Sequence, residues 1–594
     1  MAVGASHLTR RRFLAAGGAG ALGLFLGGAG CGRREGSQAS GRAAAGPTGP
    51  APAADQFYVT PWDSTGATYR ALDFYETVYC CAPLADNFSI PLVRLDQNYQ
   101  VVPGAATHWE QTSPLTWEFH LRPGILWSDG RELTAADFVE TLRYSADPAH
   151  AWDFTWYWSG ILRNYAEAVA GRASLDSIGV QQGRDPHTLV LTTERPVAFV
   201  PAACLYTGPL SAAALHQYGS GSYNINPATC VTCGPYRLHT YEPTAHIVLE
   251  RNPKYTGPFR PQLDYQIGKI YSGGDMLPRF QTGEIDTFNP TALDLRLAAR
   301  TPRMQSLHLY RNPLNFQVWY VFFETKAPPF DNLKVRQAFA HSVDRQPLID
   351  ALLAPLAIPA YGYLMPGYPF AVTDPLVPHT DYDPPKARQL LAEAGYPDGR
   401  GFPEIAFNWL PTPAANSESV VQALGENWNK VLFGGRPTVQ LRELDNKTFR
   451  ARMEHRPTQV QMGLISYGMD YFDASNMLGV YRSGGRHDWS NPRYDELLAE
   501  GAEESDPARR QEIYTEAQVL LTQEAPAVFI FHLLWGYYYW PYIQGSALDA
   551  NALGYDGLQW PAGNSSLNTR CAALDLYVAD NVDQYLRASA RALL

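Results

Sequence analysis

At 594 residues the chain exceeds one ordinary domain several-fold, so two or three lobes with a sizeable core are expected. Its composition is globular, 45% hydrophobic and 18% charged, and its 49 Gly and 46 Pro imply many turns. The net charge of −11 becomes −14 once Arg10, Arg11 and Arg12 leave with an N-terminal signal, and the acidic remainder holds no basic run, which argues against nucleic acid as a partner.

Residues 1–30 read as an export signal. Thr9-Arg10-Arg11-Arg12-Phe13-Leu14 resembles the twin-arginine export motif, and the small-residue apolar run that follows is too short and Gly-rich for a stable transmembrane helix. Gly18 to Gly23 matches GxGxxG, but no strand precedes it and it lies inside the signal, so a nucleotide role is not expected. Ala29-Gly30-Cys31 resembles the end of a bacterial lipobox, with Gly28 where that pattern wants Leu. Lipid on Cys31 would anchor the protein to a membrane surface, at roughly 0.8 kcal/mol per buried CH₂. Residues 31–54, rich in Gly, Ala, Ser and Pro, read as a flexible tether.

Six further cysteines (Cys80, Cys81, Cys204, Cys230, Cys233 and Cys571) are an even number in an exported chain, which permits disulfides without fixing their pairing. Cys230-Val-Thr-Cys233 has the spacing of a redox pair or half a zinc site. No second CxxC or nearby His/Cys pair completes a metal site, so a loop disulfide between Cys230 and Cys233, or two buried thiols, is the reading. No metal and no cofactor are expected.

The stretch Leu115–Asp147 organises the rest. Trp117, Phe119 and Leu121 alternate with Glu118, His120 and Arg122, the period of a half-buried strand. Pro123-Gly124 and Ser128-Asp129-Gly130 turn the chain on either side of Ile125-Leu126-Trp127. Thr134 sits at an N-cap with Asp137 three residues on, and Phe138 and Leu142 give the new helix an inward face. The order "tFxLR", "GxxWxDG", "TAxD" resembles the signature of the peptide and nickel-binding class (family 5) of extracellular solute-binding proteins, the receptors of ABC importers. The residues themselves read as scaffold.

Four later blocks keep the resemblance in order. Cys233-Gly234-Pro235-Tyr236 through Arg251-Asn252-Pro253-Lys254-Tyr255 carries "tGPY … rNpxY" around a strand at His246 to Glu250, and Gln281 to Asp286 matches "xxGxiD". Pro328-Pro329-Phe330-Asp331 to Asp344-Arg345 matches the family's "pPF … DR" block, with Asp331 as helix entry and Val335, Phe339 and Val343 on one stripe. In YDPPKARQLLAEAG, Asp383 caps, Pro384 opens the helix, Ala387, Leu390, Leu391 and Ala394 face inward, and Gly395 ends it. Asn491 to Pro526 resembles "npxxDxLLxxA … aP".

The resemblance spans about residues 55–545 and implies an α/β, type II periplasmic-binding-protein-like fold: two lobes joined by hinge strands, plus a small inserted α/β domain. Lobe I is expected from 55–85, 197–310 and 529–594, the inserted domain from 86–196, and lobe III from 311–528. Ligand would be enclosed between the lobes by hinge closure, and the shut form read by ABC permease transmembrane subunits.

Asp470 has the best claim to function. An apolar run from Leu464 delivers it to the end of a strand. In peptide-binding relatives an Asp here receives the peptide's α-ammonium, and Tyr467 stands where the family more often has Trp. A charge-assisted bond of this kind contributes roughly 1.5–3 kcal/mol. The alternative is a turn-capping Asp; Asp473 is the weaker candidate for the same role. Tyr471, Trp156, Trp158 and Trp535 are further ligand-binding candidates. The aromatics of Trp152 to Trp158 also suit inter-domain packing, and Trp535 to Trp540 a central strand.

The expected function is an exported, lipid-anchored, monomeric receptor that captures peptides for an ABC importer. Oligosaccharides, nickel chelates or other small amines remain alternative ligands, and a sensing role remains compatible. No GxSxG, HExxH or GxxxxGK[ST] occurs, so an enzyme, a hydrolase being the remote case, is not expected.

Overall fold

A six-stranded sheet forms the larger core. Its order is Ala357–Pro359, Ala527–Leu533, Val318–Phe323, Met462–Tyr467, Ile405–Trp409 and Val439–Glu443. Val318–Phe323 and Ala527–Leu533 are buried along their whole length, which is why both read as unbroken apolar runs. The computed structural model describes residues 46–63, 72, 74–75, 87–219, 223–271, 276–556, 575–587 and 593–594. The expected signal, Cys31, Cys80, Cys81 and Cys571 lie outside these residues.

Helices Leu333–His341, Pro384–Glu393 and Ser417–Phe433 share a hydrophobic cluster with this sheet. The Asp383 carboxylate accepts the Lys386 amide at 3.0 Å, Pro384 takes the first turn, and Ala387 and Leu391 are buried. Leu390 and Ala394 are only half-buried, and Gly395 ends the helix at φ +97°. The cap of Leu333–His341 is Asn332, which accepts the Lys334 amide at 2.9 Å, rather than Asp331. Asp331 is still in the preceding turn, its amide bonded to the Ala327 carbonyl.

A second four-stranded sheet runs Phe57–Asp63, Tyr265–Tyr271, His246–Arg251 and Tyr236–Glu242, the first two parallel. A three-stranded sheet, Thr287–Phe288, Trp535–Tyr539 and Leu309–Asn312, lies between it and the larger core in the chain's path. Two chain segments therefore cross from sheet to sheet: 313–317 links Leu309–Asn312 to Val318–Phe323, and Leu534 links Ala527–Leu533 to Trp535–Tyr539. The expected boundary at 528/529 falls inside the strand Ala527–Leu533; the crossing comes after it, because the apolar run stays paired with Val318–Phe323 to its end.

The inserted sheet has the order Ala106–Ser113, Thr116–Leu121, Thr188–Thr192 and Val180–Gln182. Trp117, Phe119 and Leu121 are buried as their alternation requires, and so are Trp127, Phe138 and Leu142. Asp137 accepts the Thr134 amide at 2.9 Å at the start of helix Ala135–Ala146. This stretch is scaffold.

Residues 46–54, expected to belong to the tether, are instead tied to the C-terminal segment. Pro50 bridges Ala579, the Ala51 amide donates to Val578 at 2.8 Å, and the Thr48 amide donates to Asp580 at 3.0 Å. Paired backbone in this segment removes it from the tether. Nearby, Asp286 is a buried hub, accepting from the Val59 amide at 2.7 Å, Tyr542 Oη at 2.6 Å and Arg587 Nη2 at 3.0 Å. Cys204, Cys230 and Cys233 are buried free thiols, so the disulfide between Cys230 and Cys233 is not formed and the thiol reading stands. Burial pushes the Cys230 thiol up to about 12, which leaves it unreactive.

Candidate functional site

The loop 467–473 leaves the end of strand Met462–Tyr467 and folds against the crossing segment 313–317. The Met469 amide donates to the Asn315 carbonyl at 2.7 Å. At Gly468 an added Cβ would lie 2.1 Å from Asn315 Nδ2, so a side chain there would separate the loop from the crossing. Phe472 packs on Phe316, which has φ +51° within the crossing, and on Tyr99 of the inserted region. Asp470 is thereby fixed beside the hinge.

The Asp470 carboxylate is only half satisfied. Its Oδ2 accepts the Tyr467 hydroxyl and Asn476 Nδ2, the latter at 2.9 Å, while the Asp470 amide donates back to Asn476 Oδ1 at 2.8 Å. Oδ1 accepts no hydrogen bond, and no ion pair reaches Asp470, among the described residues. Desolvation raises its pKa to about 6, against the opposing pull of Asn476, Tyr467 and the Arg486 charge. A carboxylate with one oxygen clamped and the other free is prepared for an incoming cation or donor.

Asp473, three residues on, is already spent. It pairs with Arg510 at 2.8 Å and caps Ala474–Leu478 by accepting the Ser475 amide at 3.0 Å. Tyr368 Oη steadies the loop by donating to the Tyr471 carbonyl at 2.7 Å.

The aromatic candidates separate. Tyr471 is buried, stacked on Phe199 with ring centroids 4.9 Å apart and edge-on to Tyr157 at 5.8 Å. Trp158 has no exposed surface. Neither side chain offers open surface, and Tyr157 joins the aromatic cluster of the inserted domain to the loop through its contact with Tyr471. Trp156 alone of its cluster is open, at 49% exposure, but nothing brings it to Asp470.

Trp535 lines a cavity of about 170 Å³ with Trp319, Gln317, Ser466, Arg450 and Arg486. Arg486 lies over the Tyr467 ring at 5.4 Å and donates to the Ser466 carbonyl at 3.2 Å, so this cavity and Asp470 flank the same tyrosine. Trp319 Nε1 donates to Gln317 Oε1 and Gln317 Nε2 to Ser466 Oγ, each at 3.2 Å. Two guanidinium groups and two indoles suit an anionic group with an apolar body. Asn476, Arg450 and Arg486 escaped the sequence reading: none stands in a motif, and only the fold brings Asn476 to Asp470 and gathers Arg450 and Arg486 at one cavity.

The model of the family described as bacterial extracellular solute-binding proteins, family 5 Middle, matches residues 100–489. The chain belongs to this family. It is thus a solute-binding protein that acts outside the cytoplasm. The periplasmic oligopeptide-binding protein OppA of Escherichia coli K12 is 27% identical over 444 residues, 72% of this chain and 79% of its own. The probable deoxycholate-binding periplasmic protein YgiS of the same strain is 29% identical over 465 residues, covering 74% and 82%. Among solved structures, the unliganded open form of the murein tripeptide-binding protein MppA superposes with a TM-score of 0.70 at 22% identity, covering 90% of this chain and 99% of its own. The two-lobed fold with an inserted domain is therefore that of the periplasmic peptide-binding proteins.

Proposed function

We propose that this family 5 protein is the peptide receptor of an ABC importer, with Asp470 holding the α-ammonium of the ligand and lobe closure about the crossings at 313–317 and Leu534 presenting the shut form to the permease. The observation that carries this reading is the half-satisfied, desolvated carboxylate beside the hinge. An ammonium on Oδ1 would contribute roughly 1.5–3 kcal/mol and would select against ligands lacking a free amine. The likeness to OppA supports peptides as ligands. Export by a twin-arginine-type signal, lipidation at Cys31 and a monomeric receptor belong to the same reading.

A second reading rests on the cavity. Arg450, Arg486, Trp319 and Trp535 fit an apolar carboxylate without an amine, and the relative YgiS carries the name of such a ligand. Native mass spectrometry of protein purified gently from its own export compartment separates the two. A spread of retained peptide masses supports the peptide receptor. A single amine-free carboxylate, or a hexose ladder, contradicts it.

A further inference from the structure

The outer hairpin of the inserted domain gathers metal-ligand side chains on one face. Across strands Ala106–Ser113 and Thr116–Leu121, His108 lies opposite His120 and Glu110 opposite Glu118. Side chains alternate along a strand, and Trp117, Phe119 and Leu121 occupy the core, so Glu118 and His120 point the other way. Two carboxylates directly opposite one another repel and weaken a hairpin. Folding of the strand pair alone gives no reason for them.

One ligand atom from each of Glu110, Glu118 and His120 falls within 4.8 Å of the other two. The Nε2 atom of His120 is buried without a hydrogen bond, 3.4 Å from Glu110 Oε1. His108 stacks on His120 with ring centroids 4.3 Å apart, and its Nδ1 lies 3.0 Å from Thr107 Oγ1. A tie on one ring nitrogen is the usual way an imidazole is oriented to offer the other to a metal.

We propose that Glu110, Glu118 and His120 bind a divalent transition-metal ion of the Zn²⁺ type, with His108 as the next available ligand. Mixed imidazole and carboxylate donors select Zn²⁺, Ni²⁺ or Cu²⁺ over Mg²⁺ and Ca²⁺. The two carboxylates balance the dication, which converts their repulsion into attraction. Three protein ligands leave one position open to water or to a fourth group. The site stands in a different sheet from the one whose strand leads to Asp470 and does not depend on the peptide reading.

The test is calorimetric titration of the chelator-treated full chain with ZnCl₂, beside Glu110→Gln, Glu118→Gln and His120→Gln. His239→Gln, from another sheet, is the control. Wild type and control are expected to show one saturable site, weakened about tenfold or more in each of the three variants, with no heat from CaCl₂ or MgCl₂. Co²⁺ should give a visible absorption band that Glu118→Gln loses. Glu110→Gln and Glu118→Gln relieve the carboxylate repulsion and are expected to melt no lower than wild type without metal. Absence of saturable binding, or equal binding in wild type and all three variants, overturns the proposal.

Discussion

Burial raises the Asp470 carboxyl from an ordinary 3.8 to about 6, so between those values the native empty receptor holds a proton that the unfolded chain has released. More protons bound to the native state means that stability falls as pH rises through this window, and the full penalty is present at pH 7. A shift of this size corresponds to about 2–3 kcal/mol. In Asp470→Asn the amide oxygen can take the place of Oδ2 and keep the bonds from Tyr467 and Asn476. The variant is therefore expected to be more stable than wild type at pH 7 by about 2–3 kcal/mol and to gain nothing near pH 4. Urea midpoints at the two pH values check this; an equal gain at both would show that the carboxyl is not raised. A charge kept at the expense of stability supports the binding role proposed for Asp470.

Loop 467–473 couples that charge to the crossing segment. Gly468→Ala places a Cβ against Asn315 Nδ2 and its carbonyl carbon, and Asn315 also holds the Met469 amide. The substitution is expected to weaken ligand affinity about tenfold or more while leaving the circular dichroism spectrum unchanged, because a displacement of about 1 Å suffices to misplace a binding group; unaltered affinity would detach the loop from the hinge. Much at this scale was legible in the sequence. The alternation in Thr116–Leu121, the Asp383 cap with Pro384, and Gly395 at the helix end are local signals, and each stands where its pattern put it. The illegible parts were long-range. Asn476 meets Asp470 only because a short helix follows the loop, and Arg486 reaches Tyr467 across a separation that no motif encodes. Trp158 and Tyr471, read as ligand-binding candidates, lie packed among other side chains, and a large aromatic reads the same in a cleft as in a core, so that only its neighbours decide.

Over the whole molecule, the C-terminal segment closes one lobe. Arg587 donates to Asp286 from the far end of the chain, and Gln56 Nε2 donates to the Val578 carbonyl at 2.7 Å. Arg587→Ala leaves a buried carboxylate without its cation and is expected to cost about 3 kcal/mol or more. Loss of the half-exposed Arg493 from its surface network should cost no more than about 1 kcal/mol. Urea unfolding of the two variants makes the comparison, and equal losses would remove Arg587 from the account. A lobe fastened this way suits the proposed closure about 313–317 and Leu534, in which a ligand contact made at Asp470 only in the shut form would shift the population.

The most direct measurement is the affinity of ligand-stripped wild type and Asp470→Asn for a defined pool of tetrapeptides with free N-termini, beside the same pool N-acetylated. Wild type is expected to prefer the free amines by about tenfold or more, this preference is expected to weaken as pH falls below 6, and Asp470→Asn is expected to abolish it. Equal affinity of wild type for the two pools, or a preference that survives in Asp470→Asn, would contradict it.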